Sequence, residues 1–203
     1  IIVSTLDALY GVQPNDGRIL WENKAFPSIG PDQFNEVPGT EFATVTYAKD
    51  GNATIPMQAI LEVVEGKILF DSQKEQIGVL SRHVLPASGR LLIIGAKAGT
   101  LSASLFMYDI ISGKQLWANH DLFKTDASSA KGFFGKLQAV GQQLGNLQSL
   151  TSEPVELPDQ SMVITHPNYI IRLNSGDGKV IWKNAIEPSR AGRVYFSPYK
   201  KDI

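Results

Sequence analysis

Cysteine is absent from the 203 residues, which excludes disulfide staples, thiolate metal sites and cysteine nucleophiles. Histidine is scarce. His83, His120 and His166 lie far apart in the chain, and none has a second histidine or a carboxylate at the spacing of a zinc or metalloprotease signature. An excess of one charge is missing too: 19 Lys and Arg stand against 20 Asp and Glu, a formal net charge of −1. The only basic cluster is Tyr199-Lys200-Lys201, so nucleic acid is not expected as a partner. No run of 18 or more apolar residues occurs, and no transmembrane segment is expected in this piece. There is no Gly-x-Ser-x-Gly elbow and no phosphate-cradling glycine loop before a helix; Gly95-Ala96-Lys97-Ala98-Gly99 has the character of a hairpin tip. With 43% hydrophobic and 19% charged residues, the composition is that of an ordinary globular chain able to build a core.

Against these absences stands a repeat. An apolar strand runs into a glycine, then a cationic residue, then a strand with a large aromatic, in four places: Asp16-Gly17-Arg18-Ile19-Leu20-Trp21, Glu65-Gly66-Lys67-Ile68-Leu69-Phe70, Ser112-Gly113-Lys114-Gln115-Leu116-Trp117 and Asp177-Gly178-Lys179-Val180-Ile181-Trp182. The glycines are 49, 47 and 65 residues apart, counting from Gly17 to Gly66, Gly113 and Gly178 in turn. That period suits the blades of a β-propeller rather than helical solenoids. Each copy is expected to be a hairpin whose glycine takes the positive φ of the turn. Ile19 and Trp21 are expected on one face of their strand and Leu20 on the other. The aromatic, burying about 150–250 Å² per copy, is expected to bond one blade to the next.

The strands before the glycines are read as Ala8 to Gln13, Ile60 to Val64, Leu105 to Ile111 and Tyr169 to Asn174. A third strand precedes most of them: Ile1 to Thr5, Phe42 to Tyr47, Arg90 to Ile94 and Ser161 to Thr165, with Gly78 to Val84 as an additional one. Asp7, Asp71, Asp159 and Asp177 fall at turns, where Asp favours local backbone hydrogen bonds over chemistry. The expected units are 1–30, 31–77, 78–127 and 151–190, with the start of a further unit at 191–203. The longest spacing contains an insertion at 128–150. Within it Phe133, Leu137, Val140, Leu144 and Leu147 follow helical spacing, capped by Ser128 or Ser129 and weakened by Gly135, Gly141 and Gly145. The stripe is expected to lie on the rim of the scaffold, with docking of a partner as the alternative.

The copies Met107 to Trp117 and Ile171 to Trp182 resemble the pyrroloquinoline-quinone-like propellers with tryptophan-docking repeats. That family's repeat places Leu-Asp before a Thr-Gly-Lys turn and a Trp. Its acidic station is here Gln13, Glu62, Asp109 and Asn174, so three of the four depart from Asp. The resemblance implies an all-β propeller of four-stranded antiparallel blades, about four of them present. Seven or eight blades are usual in the family, so a part of a longer chain is expected, with a four-bladed ring closed by strand 193–197 as the alternative. The family includes dehydrogenases and outer-membrane assembly lipoproteins. Its quinone enzymes commonly use adjacent cysteines and acidic residues around Ca²⁺, a constellation with no match here. No cofactor is therefore expected, and no catalytic, cofactor-binding or metal residue is assigned. What the resemblance implies is the non-catalytic branch: a scaffold for unidentified protein partners in the bacterial periplasm or at the cell surface. A quinone-dependent oxidoreductase or other enzyme completed by further sequence is the alternative.

Overall fold

The computed structural model describes residues 1–49, 52–97, 103–122, 150, 152–166 and 169–186. The stripe of Phe133, Leu137, Val140, Leu144 and Leu147, and the further unit at 191–203, lie outside the described residues.

The fold is all-β, made of antiparallel sheets of the propeller-blade type. The first sheet has three strands, β1 (Ile2–Ser4), β2 (Leu9–Val12) and β3 (Ile19–Asn23). The other three sheets have four strands each, in sequential order. They are β4 (Phe34–Glu36), β5 (Phe42–Lys49), β6 (Asn52–Glu62) and β7 (Lys67–Asp71); β8 (Ile77–Leu85), β9 (Arg90–Lys97), β10 (Ser104–Asp109) and β11 (Gln115–Asn119); and β12 (Val155–Glu156), β13 (Ser161–His166), β14 (Tyr169–Asn174) and β15 (Val180–Ala185). Helix is confined, among the described residues, to a 3-10 turn at Pro31–Gln33 and the single α-turn α1 (Ser72–Glu75).

Two compact units divide the chain. One is Ile1–Val79 with Ile110–Gly113; the other is Leu80–Asp109 and the chain from Lys114 onward. Each has its own core between consecutive sheets. In the first unit Leu9, Phe26, Val45, Tyr47, Ala59 and Leu61 pack together, with Phe26 edge-on to Tyr47 at 5.2 Å between ring centroids. In the second, Leu92, Ile94, Leu105 and Met107 of β9 and β10 meet Ile164 and Ile171 of β13 and β14. Closing these faces to water supplies the hydrophobic stabilisation that the short strands need.

The four glycines of the repeat all take left-handed φ values, +73° at Gly17, +70° at Gly66, +67° at Gly113 and +71° at Gly178. The strand after each glycine differs from the strict alternation expected for it. Pairing runs Trp21↔Gly11 then Ile19↔Val12, Phe70↔Ile60 then Ile68↔Leu61, Trp117↔Met107 then Gln115↔Tyr108, and Trp182↔Arg172 then Val180↔Leu173. One residue before each aromatic is skipped: Leu20, Leu69, Leu116 or Ile181. Such a bulge increases local twist and re-aims the side chains beyond it. Because of it, Ile19 and Leu20 are both exposed, and the two-face pattern expected of Ile19-Leu20-Trp21 does not hold.

Candidate functional site

The bulge carries each aromatic to the same place on its strand, and in two sheets the ring meets the glycine turn of the following sheet. In the first unit the Trp21 ring lies where a Cβ on Gly66 would stand, and over Gly11 of its own sheet. Its Nε1 donates to the Val63 carbonyl at 3.0 Å, and Asn23 Nδ2 donates to the Gly66 carbonyl at 2.8 Å. The second unit repeats the arrangement with different residues. Trp117 lies over Gly178; its Nε1 donates to Ser175 O at 2.8 Å, and Asn119 Nδ2 donates to Gly178 O at 2.8 Å. In both, the indole takes the carbonyl three residues before the glycine, and the Asn two residues after the Trp takes the glycine's own carbonyl. Turn carbonyls that burial would otherwise leave unpaired are thereby satisfied. Glycine is required twice over, since any side chain would occupy the ring's space and a left-handed φ disfavours one anyway.

Each Asn also organises its own chain. Asn23 Oδ1 accepts from Ala25 N at 3.0 Å, while Asn119 Oδ1 accepts from Asp121 N at 3.1 Å and Leu122 N at 3.0 Å. Trp-x-Asn is therefore the unit of this structural tie, and the same triplet stands in the sequence three times, as Trp21-Glu22-Asn23, Trp117-Ala118-Asn119 and Trp182-Lys183-Asn184. The glycine and aromatic positions carried the sequence reading; the Asn was the signal passed over.

The Phe70 station is built differently. Phe70 is buried and has no N–H to donate, and Ser72 stands where the Asn stands elsewhere. Ser72 Oγ instead accepts from Gln58 N at 2.9 Å. Asp71 caps α1 by accepting from Gln73 N at 2.9 Å, and it also accepts the Tyr47 hydroxyl at 2.5 Å. Burial, then Asp71, pushes the Tyr47 phenol far above its usual range. In this unit a Cβ on Gly113 would run into the Leu69 carbonyl oxygen, so a backbone oxygen occupies the space that an indole fills at Gly66 and Gly178.

The remaining polar clusters are ties. Ser81 Oγ lies 3.0 Å from His83 Nε2, and His83 Nδ1 lies 2.6 Å from Glu153 Oε2. The order of groups is that of a hydrolase triad, but the burial is inverted. A nucleophile must open to substrate while its acid is shielded; here the Glu153 side chain is 82% exposed and Ser81 is half-buried. The trio joins edge strand β8 to the segment before β12. His120 Nδ1 lies 2.9 Å from Ser104 Oγ, and His166 stacks on Tyr169 with centroids 5.9 Å apart. Asp159 accepts from Ser161 Oγ at 2.6 Å and Arg172 Nη2 at 2.5 Å, and Asp177 accepts from Lys179 N at 3.1 Å. A cleft of about 340 Å³ in the second unit is lined by Arg90, Glu156, Gln160 and Ser161 among others, and Arg90 is held there through its Nη1 bond to Ser175 O at 2.8 Å.

Among the described residues no three His, Asp or Glu side chains converge to hold a metal ion. No described helix is long and apolar enough to cross a membrane.

No protein-family model matches the chain, and no curated protein sequence matches it. Among solved structures it is similar to the quinohemoprotein alcohol dehydrogenase ADHIIG of Pseudomonas putida HK5, at 14% identity and a TM-score of 0.44. It is also similar to BamB of Moraxella catarrhalis, at 14% identity and a TM-score of 0.42. The matches cover 94% and 91% of this chain, but only 33% of the dehydrogenase and 48% of BamB. The chain thus spans about a third and about half of their respective lengths.

Proposed function

We propose that this chain is a non-catalytic β-propeller scaffold that binds a protein partner through the apolar surface of its first unit. The observation that carries the reading is where large apolar side chains are left in water. Leu6 is 81% exposed, Ile111 68%, Ile19 60% and Val64 56%, and all belong to the first unit. Val64 and Ile111 each stand two residues before a repeat glycine, at the tip of a turn whose backbone is already fixed. A rigid turn presenting an apolar tip costs little ordering entropy on binding. The polar side chains nearby are engaged: Asn23 holds Gly66, and Asp71 holds Tyr47 and α1. Placement in the periplasm or at the cell surface belongs to the same proposal, supported by the family resemblance and compatible with a chain without cysteine.

Two measurements test it. Crosslinking in a cell extract should give an adduct that the Val64→Ser/Ile111→Ser variant loses while its circular dichroism is unchanged. Saturating pyrroloquinoline quinone with Ca²⁺ should leave the melting temperature where it was, because a ligand bound only by the native state must raise it. A rise would favour the quinone-dependent alternative and overturn the scaffold.

A further inference from the structure

The cleft of about 340 Å³ lies wholly within the second unit, away from the apolar turns of the first. Its volume is near the lower end of the roughly 300–1,000 Å³ of small-molecule sites. Its walls are turns and strand ends: the β8–β9 turn with Arg90 after it, Glu156 at the end of β12, Gln160 of the β12–β13 turn with Ser161 after it, and Ser175 of the β14–β15 turn.

Three features of these walls exceed what the fold needs. The first is Ser175. It is 3% exposed, and its Oγ has no hydrogen-bond partner among the described residues, a costly condition for a buried hydroxyl. Its backbone is by contrast fully used: Ser175 N donates to Gln160 O at 3.0 Å, and Ser175 O accepts from Trp117 and Arg90, each at 2.8 Å.

The second is the pair of opposite charges on the lining. The bond from Arg90 Nη1 to Ser175 O fixes the plane of the guanidinium, whose fork carries four further N–H donors, about the geometry a carboxylate accepts. Ser161 Oγ donates to Asp159 and accepts from Arg172 Nε at 2.9 Å, so Asp159 and Arg172 answer each other. The half-buried Glu156 side chain makes no hydrogen bond or ion pair with a described residue.

The third is Gln160. Arg90 lies two residues before Leu92, which stands opposite Met107 and so in line with Trp117; Ser161 lies two before Val163, which stands opposite Arg172 and in line with Trp182. Gln160 therefore holds the station that Gly89 holds in the sheet before, and both are left-handed, with φ of +62° and +63°. Glycine takes that conformation freely and glutamine does not. Such strain is kept where a side chain has a task, and what Gln160 adds over glycine at this cleft is its amide.

These groups select a ligand. One cation beside one carboxylate does not suit a polyanion, no aromatic ring lines the cleft to stack on a base, and only Ala87 and Leu157 are apolar. We propose that the cleft binds a free α-amino acid with a short polar side chain. The ligand's carboxylate lies on the Arg90 fork, its ammonium on Glu156, and its side chain meets the Gln160 amide and the Ser175 hydroxyl.

Thermal unfolding of the chain with each standard amino acid in turn, at about 10 mM, tests this, because a ligand bound by the native state alone raises the melting temperature. Serine, threonine or asparagine should raise it. The N-acetyl derivative of the amino acid that does, lacking the ammonium, and its amide, lacking the carboxylate, should each bind at least about tenfold more weakly in calorimetric titration. Glu156→Gln and Arg90→Lys should lose affinity to a similar degree; Arg90→Lys keeps the charge without the fork, and Glu156→Gln leaves every tie in the fold untouched. Gln160→Gly should melt higher than wild type when free, yet rise less with the ligand, a combination that a purely structural turn residue would not give. No rise with any amino acid, a derivative that matches its parent, full affinity in Glu156→Gln, or a Gln160→Gly chain that responds like wild type would each overturn the proposal.

Discussion

The Trp117 and Phe70 stations begin from the same hairpin, glycine turn and bulge, yet they hold their sheets by different means. At Trp117 the tie is polar as well as apolar: indole to Ser175, amide to Gly178, and ring over glycine. At Phe70 the ring is buried without an N–H, and the residues after it are spent on their own sheet, with Asp71 on α1 and Tyr47 and Ser72 on Gln58. The difference shows that the aromatic's bulk and the clamp are separable. The first needs only a hydrophobic ring; the second needs Trp, Asn two residues later, and glycine opposite.

The comparison breaks hardest at the receiving glycine. Gly178→Val adds atoms into the Trp117 ring and forces a β-branched residue to a φ of +71°. It should cost about 3 kcal/mol in urea unfolding, whereas Gly89→Ala, at φ +63° with open space around it, should cost only about 1 kcal/mol. An equal loss in both would mean that strain, not the ring, sets the requirement. Phe70→Trp tests the converse. Phe70 is 4% exposed, so the larger indole should overpack and destabilise by about 2 kcal/mol, although the same change of residue type separates it from a clamped station. Asn119→Ala removes one bond between sheets and two within the chain, and a loss of about 1.5 kcal/mol is expected. Trp117→Phe keeps the ring and drops the N–H; Ser175 O retains Arg90, so about 1 kcal/mol is expected. In the double variant the two losses should fall short of additive, since both bonds hold one turn.

Much of the architecture was legible because a glycine followed by a cation and, four residues after the glycine, by a large aromatic is a combination rare enough to betray a period. Gly66-Lys67-Ile68-Leu69-Phe70 announces a hairpin, and Tyr169 to Asn174 is a strand with the ends expected for it. The long reach of β6, from Asn52 rather than Ile60, was hidden by Pro56, which ordinarily argues against a strand. The bulges were hidden because a skipped residue leaves no composition signal: Leu20 and Leu116 look like any alternating strand position. The His83 tie was beyond sequence reasoning, since Glu153 is 70 residues away and reaches His83 only through the fold. Asn23 and Asn119 were readable from Trp-x-Asn, but Asn after a strand is so common in turns that only the carbonyl opposite gives it meaning.

The two units should also part company with pH, in opposite directions. In the second unit the Ser161 hydroxyl, then the Ser161 amide and Arg172, hold the Asp159 carboxyl below its ordinary value. A depressed folded pKa means that the unfolded chain binds the proton first. The tie therefore contributes in full above the unfolded value of about 3.9 and is lost as pH falls through the folded one. In the first unit, burial followed by Asp71 raises the Tyr47 phenol. Its contribution is present below the unfolded value of about 10 and is lost as pH rises through the folded one. The melting-temperature gap between wild type and Asp159→Asn should accordingly narrow on acidification, and that between wild type and Tyr47→Phe should narrow in alkali. The acid effect is the smaller because the Asp159 side chain is 56% exposed, where solvent screens the pair. Added salt should shrink the acid-side gap further and leave the alkaline one nearly intact, since Tyr47 lies in the core beside Phe26.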